Sequence, residues 1–506
     1  MRYVLGIDIG TSATKTGLYR EDGTEAAQAD AAYPLYQPHN GWAEQDPEDW
    51  WDAVAKTIRE VLKQSGVPAT SIAGVGMSGQ MHGLVMLDEH HQVIRPSIIW
   101  CDQRTGEEVA WLNEHVGRDR LIELTANPPV TGFTLAKLLW VRNHEPDHYA
   151  RCRKILLPKD YIRFRLTGQF ATEVSDASGM QLLDVSRRNW SLPLLKQLDI
   201  DPDLLAPVYE SPVVSARVDQ AGSQACGLPV GTPVVGGAGD NAAAAVGTGV
   251  VTEGRAFTTI GTSGVVFAHT DQMKVDPQGR VHTFCCAVPG AWHIMSVTQG
   301  AGLSLSWFRD QFCQNLSTVA AQKGESVYRL MDELAADIPV GCDRLIYLPY
   351  LMGERTPWLD PDCRGVFFGL SAMHTQAHLI RAVMEGVTYS QLDGLNIMRG
   401  LDLQVDDMRA TGGGASPFWR QMLADAYGCP VSRLEPNGGP ALGAAILAAV
   451  GAGLYPDVPT ACAQTVQLGA SSQPDAAATQ AYQKTYQLYD QLYPLLQPAF
   501  AKLKQL

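Results

Sequence analysis

Positive charge is scarce in this chain. Its 506 residues hold 39 Lys and Arg against 53 Asp and Glu, a formal net charge of −14. A protein that grips a nucleic-acid backbone needs a basic stripe, so that class is set aside. A nucleotide is not, because backbone N–H groups and a metal ion hold phosphate without a basic surface. Paired cysteines are missing as well. Ten cysteines are scattered with no Cys-x-x-Cys, and the adjacent Cys285-Cys286 suits neither a zinc site nor an ordinary disulfide. Reduced structural thiols are expected. No apolar run reaches the ~20 residues that span a bilayer. The least polar stretch, Pro440 to Tyr455, is rich in Ala and Gly and reads as a buried helix. Asp8 arrives too early for a signal peptide. A soluble, cytoplasmic protein with neither a membrane nor a nucleic acid as partner is expected.

What is present begins with 45% hydrophobic residues, enough for large cores. Length alone suggests about three domains, but a repeat argues for two larger ones. Ile9-Gly10-Thr11-Ser12 and Ile260-Gly261-Thr262-Ser263 share their four residues, and each lies between two strand-like runs. The first hairpin carries Asp8 and Lys15, and the second has no counterpart of either. Turn N–H groups beside Gly10 suit phosphate. An Asx-type turn with a surface lysine fits the first hairpin, taken alone, equally well. Between the two loops, Gly236-Gly237-Ala238-Gly239-Asp240-Asn241 follows the short strand Pro233-Val234-Val235 and opens an Ala-rich helix, with Asp240 at the junction. Pro440 to Val450 resembles that helix but lacks the acid. The pattern points to a duplicated α/β fold, residues 1–248 and 249–506, closing over one site.

Gly74 to Gly79 matches G-x-G-x-x-G, yet a strand-like run rather than a helix follows, which argues against a dinucleotide site. The next turn presents Gln80, Met81 and His82, and Trp100 to Thr105 ends another short strand. Two polar clusters at strand ends suit a hydroxyl-rich ligand. A satisfied structural histidine is the competing reading of His82. Asp46-Pro47-Glu48-Asp49 starts a helix that Gly66 stops. Further helices are expected over 133–144, 374–398 and 482–506, with loops or turns over 172–178 and 199–233. Three glycines at Gly412-Gly413-Gly414, ahead of a helix, let something flat lie against the backbone.

Together these segments resemble the FGGY carbohydrate kinases, whose two duplicated actin/Hsp70/hexokinase-like (ribonuclease H-like) domains flank a central cleft. The resemblance covers nearly the whole chain. It rests on Gly6 to Ser12, Gly239-Asp240, Thr259 to Ser263, Gly132 to Trp140, Gly365 to Leu370 and Thr411 to Ala415. Within the family, Met77 to Gly83 and Trp100 to Arg104 look like the branch that phosphorylates D-xylulose rather than glycerol. The resemblance implies ATP and Mg²⁺, with Asp8 holding the metal. Asp240 would be the general base, taking the proton of the sugar hydroxyl that attacks the γ-phosphate. Thr11, Ser12 and Lys15 would meet the transferring phosphate, and Gly261, Thr262 and Ser263 the others. Gly302, Gly413, Gly414 and Ser416 would line the adenosine site, and Met81, His82, Asp240 and Asn241 the sugar site. Arg104 is added to the sugar set from its placement. The helix N-terminus is expected to depress the Asp240 pKa. A ribulose or glycerol kinase, or a sugar-independent ATPase clamp of the same fold, are the alternatives. The surface leaves room for a homodimer.

Overall fold

Two seven-stranded mixed sheets divide the chain, in a computed structural model that describes residues 2–435 and 438–505. In the first, β1 (Tyr3–Ile9), β2 (Ala13–Arg20) and β3 (Glu25–Ala32) form an antiparallel meander. Helix α1 (Pro47–Ser65) packs on this meander and leads to β4 (Ile72–Gly79), parallel to β1. β5 (Val214–Arg217) lies antiparallel to β6 (Pro233–Val235), which runs parallel to β4. The short β7 (Ala238–Gly239) also runs parallel to β4 and feeds α2 (Asp240–Gly247). The second sheet repeats this plan. β8 (Gly254–Ile260), β9 (Gly264–Thr270), β10 (His282–Cys285) and β11 (Trp292–Thr298) are antiparallel neighbours. After the long helix α3 (Gln376–Gly400), β12 (Val405–Gly412) and β13 (Val431–Leu434) join in parallel. Helix α4 (Pro440–Gly451) follows, and β14 (Leu468–Ser472) closes the edge antiparallel. Both halves therefore run meander, two parallel strands, one antiparallel edge.

The halves are tied together by α2 and α4. Though it follows the second sheet's β13, α4 crosses the first sheet. A Cβ on Gly6 would stand 1.8 Å from the Ala441 carbonyl oxygen, and one on Gly76 only 1.9 Å from that of Ala444. The glycines of Gly74 to Gly79 thus lie within a strand and admit a helix, not a cofactor. Where α4 meets α2, a Cβ on Gly443 would stand 1.8 Å from the Ala243 oxygen. In turn α2 reaches the second half through Ala245, packed with Phe257 and Phe267. Residues between β4 and β5 build a further core around Leu84, Leu138, Val174 and Leu194.

Local signals explain most boundaries. Asp46 caps α1, its carboxylate accepting the Glu48 N–H at 3.0 Å, and Gly66 ends it with φ 64°. Residues 172–178, expected as a loop, form a two-residue strand and the helix Val174–Ser178. The cap there is Glu173, whose carboxylate accepts the Ser175 and Asp176 N–H groups. Glutamate is not a usual cap residue, so the start is hard to read. The 199–233 segment also holds a helix, Gln220–Cys226, capped by Asp219. The last helix begins earlier than expected, at Ala476, and runs to Leu503; Leu506 lies outside the described residues. All ten cysteines are unpaired, and all but Cys101 are buried. No described helix is long and apolar enough to cross a membrane.

Candidate active site

β1, β4 and β7 end side by side, and this register gathers the acids. Asp8 stands opposite Lys15 on β2 and Ser78 on β4, while Ala238 of β7 stands opposite Ser78. Gly239 ends β7 and Asp240 opens α2 directly after it, so two carboxylates far apart in sequence meet at one strand end. The Ser78 hydroxyl donates to Asp8 Oδ1 at 2.9 Å. Burial pushes the Asp8 pKa up to about 6, against the lowering pull of Ser78 and Lys15. Asp240 Oδ1 accepts the Asn241 backbone N–H at 2.7 Å and its side-chain amide at 3.0 Å. The Gly239 N–H donates to Ser175 Oγ at 3.1 Å, anchoring the junction from behind.

Burial first, and the Asp8 charge second, raise the Asp240 pKa to about 7. This overturns the depression expected from a helix N-terminus. Donors from Asn241 do lower the value, but desolvation and a like charge outweigh them. Two interacting carboxylates with raised pKa values in a cleft are the pattern of a site that handles protons or metal.

The Gly10-Thr11-Ser12 turn is braced rather than loose. Thr11 Oγ1 accepts the Trp100 indole N–H at 2.9 Å, and the Thr11 carbonyl accepts the Gln45 amide at 2.7 Å. Gln80 Nε2 in turn donates to Gln45 Oε1 at 2.7 Å. Ser12 and Lys15 are exposed beside it.

Across the cleft, the second Gly-Thr-Ser turn opens a cavity of about 490 Å³, a size suited to a small ligand. Gly261, Thr262, Gly302, Gly413 and Ser416 line it. The Gly302 N–H donates to the Gly261 carbonyl at 2.7 Å, and a Cβ there would stand 2.4 Å from that oxygen. Ser416 caps the following helix through the Trp419 N–H. Gly414 lies behind the cavity against Ile260, and Ser263 accepts the Gly261 N–H within the turn. Sequence reading missed Tyr328 and Asp332, which also line the cavity. They come from a segment with no motif, and only the fold brings them in.

At the other end, Met81 is buried and His82 sits in the left-handed region with φ 69°. A non-glycine residue held there is costly and marks a constrained site. His82 Nδ1 lies 2.7 Å from the Gly179 carbonyl, so it carries the proton and leaves Nε2 as an acceptor. Burial, aided by the charges of Lys137 and Arg355, pushes the His82 pKa down to about 3, so the ring is neutral. The Lys137 ammonium donates to the His82 and Gly132 carbonyls, both at 2.8 Å, and fixes this corner.

Arg104 is a correction. Its side chain is 1% exposed, spent on Asp102 and Glu44 and laid 3.6 Å over the Trp42 ring. Asp102 also accepts the Ala43 N–H at 2.6 Å, so this arginine locks a loop and does not face the cleft.

Both groups that the resemblance implied fit the residues present. The glycine-floored cavity and the two Gly-Thr-Ser turns suit a nucleoside triphosphate. Among the described residues no three His, Cys, Asp or Glu side chains form a metal cage. Asp8 beside a phosphate turn is instead what Mg²⁺ uses, one or two carboxylates completed by water and phosphate oxygens.

Comparison with known proteins agrees with this arrangement. The N-terminal domain model of the FGGY family of carbohydrate kinases matches residues 3–247, and the C-terminal domain model residues 256–452. A xylulose kinase of Bacillus subtilis (strain 168) is 39% identical over 494 residues, 97% of each chain. A gluconokinase of the same organism is 32% identical, covering 90% of this chain and 87% of its own. The crystal structure of ligand-bound xylulose kinase from Lactobacillus acidophilus superposes with a TM-score of 0.92 at 28% identity, over 99% of this chain and 100% of that one. Two duplicated sheets, paired acids at a shared strand end and both domain matches lead to one conclusion: the chain belongs to the FGGY family of carbohydrate kinases.

Proposed function

We propose that the chain transfers the γ-phosphate of ATP to the terminal 5-hydroxyl of D-xylulose. The observation that carries this reading is the meeting of Asp8 and Asp240 between a neutral, hydrogen-bonding pocket at His82 and a glycine-floored cavity. Asp240 accepts the proton as the O5–H bond breaks, the new O5–phosphorus bond forms, and the phosphorus–oxygen bond to the β-phosphate breaks, releasing ADP. A carboxylate with pKa about 7 remains substantially ionised near neutrality, and is a stronger base than an ordinary aspartate. Such a transfer demands positioning and charge neutralisation more than basicity. Asn241 orients the Asp240 carboxylate, and Met81 with His82 Nε2 meets the sugar hydroxyls. Thr11, Ser12 and Lys15 receive the transferring phosphate. Gly261, Thr262 and Ser263 hold the remaining phosphates, while Gly302, Gly413, Gly414 and Ser416 surround the adenosine. Asp8 would hold a magnesium ion, which would supply neutralisation of phosphate charge.

The test is ADP release measured across D-xylulose, D-ribulose, glycerol and D-gluconate. D-Xylulose should give the highest kcat/KM. A higher value for any other acceptor, or release that needs no acceptor, would sink the assignment.

A further inference from the structure

Arg355 forms no ion pair with a described residue, yet it reaches the sugar corner of the first half. Arg355 lies on the loop after Gly353, in the second half, yet its Nη2 reaches within 3.3 Å of where a Cβ on Gly132 would stand. Gly132 belongs to the corner that Lys137 fixes around His82. The backbone beside Arg355 is nailed down. Its N–H donates to Glu354 Oε1 at 2.7 Å, and its carbonyl accepts the Leu359 N–H at 2.6 Å. The next residue, Thr356, exchanges bonds with Val297 at 3.0 and 3.2 Å. The guanidinium itself makes no hydrogen bond or ion pair with another described residue. The Glu354 charge favours the guanidinium from the neighbouring position, but its carboxylate oxygens are engaged by the Gln299 and Arg355 N–H groups and by the Ser390 hydroxyl. A fixed backbone with an idle fork of five donors is the arrangement of a residue waiting for a ligand.

The charge neighbours say which part of the ligand. Arg355 bears on His82, Lys137 and His282. Met81 packs on Gly239, next to Asp240, whereas the Arg355 fork stands at Gly132, beside the Phe133 that packs on His82. The guanidinium is therefore placed away from the reacting hydroxyl. We propose that Arg355 is a specificity-determining residue that reads the far end of the sugar, its fork donating to the C2 carbonyl oxygen and the adjacent C1 hydroxyl. This rests on the ketose reading above. A planar fork suits two neighbouring oxygens in a way that a lysine ammonium cannot. Because the loop comes from the second half while His82 and Asp240 come from the first, the same contact makes the ketose a bridge between the halves.

The experiment compares wild type, Arg355→Ala and Arg355→Lys. It measures KM for D-xylulose, KM for ATP, and the inhibition constant of the pentitols made by reducing the C2 carbonyl. Both variants should raise the D-xylulose KM by ~10–100-fold, with the ATP KM unchanged. Pentitol inhibition should weaken too, because the C1 hydroxyl still accepts, but by less than the D-xylulose KM rises, because the tetrahedral C2 hydroxyl is a poorer match to the planar fork than the carbonyl. Equal weakening of ketose and pentitol would overturn the assignment, as would a D-xylulose KM within about twofold of wild type. If Arg355→Ala does not fold, Arg355→Lys decides, since it keeps charge and length and loses only the fork. Should wild type prefer D-gluconate, the ketose reading fails first, and that result is distinct from any effect of Arg355.

Discussion

Replacing Asp240 with asparagine should move activity and stability in opposite directions. The amide keeps the shape of the side chain, and its oxygen can still accept the Asn241 N–H that Asp240 Oδ1 accepts at 2.7 Å. What it removes is the basic lone pair and the charge. Loss of a general base lowers kcat by ~10²–10⁴. The stability effect follows from the pKa. Folding raises it from an ordinary 3.8 to about 7, so the folded state holds this proton more tightly than the unfolded chain does. Above pH 7 both states are ionised, and folding bears the full cost of an unfavourable buried charge. At ~1.4 kcal/mol per pH unit, about three units set a ceiling of ~4 kcal/mol. Access of water from the cleft reduces this to ~2 kcal/mol.

Asp240→Asn should therefore be more stable than wild type at about pH 8. The gain should shrink as pH falls through 7 and vanish well below 3.8, where the native and unfolded wild-type chains both carry the proton. Urea unfolding of the two proteins at several pH values reads the difference, and coupled ADP release reads the rate. In wild type, kcat/KM should fall about tenfold per pH unit below the Asp240 pKa, because the base is then occupied. A pH-independent stability difference, a loss of stability at pH 8, or turnover within about tenfold of wild type would refute the reasoning.

Two further substitutions test the frame around the site. Gly443→Ala puts a Cβ 1.8 Å from the Ala243 oxygen and 2.9 Å from the Gly247 nitrogen, both backbone atoms that cannot swing aside. It should cost ~1–3 kcal/mol or more, read as a lower urea midpoint, and an unchanged midpoint would refute the close crossing of α2 and α4. Gly302→Ala puts a Cβ 2.4 Å from the Gly261 oxygen and should open the cavity's glycine turn. The ATP KM should rise ~10-fold with the D-xylulose KM unchanged, and the reverse pattern would move the nucleotide elsewhere.

Much of the site was legible because its signals are local. Asp8 and Asp240 end strands beside glycines, and the two Ile-Gly-Thr-Ser turns announce the duplication by identity. What failed to read from sequence depends on approach through space. Arg104 looks the same in sequence whether it meets a sugar or Asp102 and Glu44, and Glu44 lies far upstream. The Asp240 pKa was read in the wrong direction because the helix N-terminus is a local effect, whereas burial and the Asp8 charge arrive through packing. Asp332 and Tyr328 reach the cavity beside the second Gly-Thr-Ser turn from a helix with no motif. Arg355 was visible only as part of a loop, since nothing in its neighbours says that its side chain is left unpaired. The glycines of β4 match a cofactor-loop pattern that the strand-like run after them argues against, and Gly76 is there to admit Ala444.

The duplication also explains why the acids lie in one half. Matching rungs of the two sheets read Ser78–Asp8–Lys15 in the first and Thr411–Thr259–Val265 in the second. The second half thus offers a turn of backbone N–H groups and hydroxyls with no carboxylate beside it. An acid at Thr259 would repel a polyphosphate at short range, and the sequence has none there. The helix starts differ in the same sense. Asp240 opens α2 at the strand end, whereas Pro440 opens α4 and offers no carboxylate. The end of α2 meets the turn before α4, where a Cβ on Gly247 would stand 2.2 Å from the Gly439 oxygen. On the function proposed above, one copy of the fold keeps proton and metal chemistry, and the other, with no carboxylate beside its turn, takes the nucleotide.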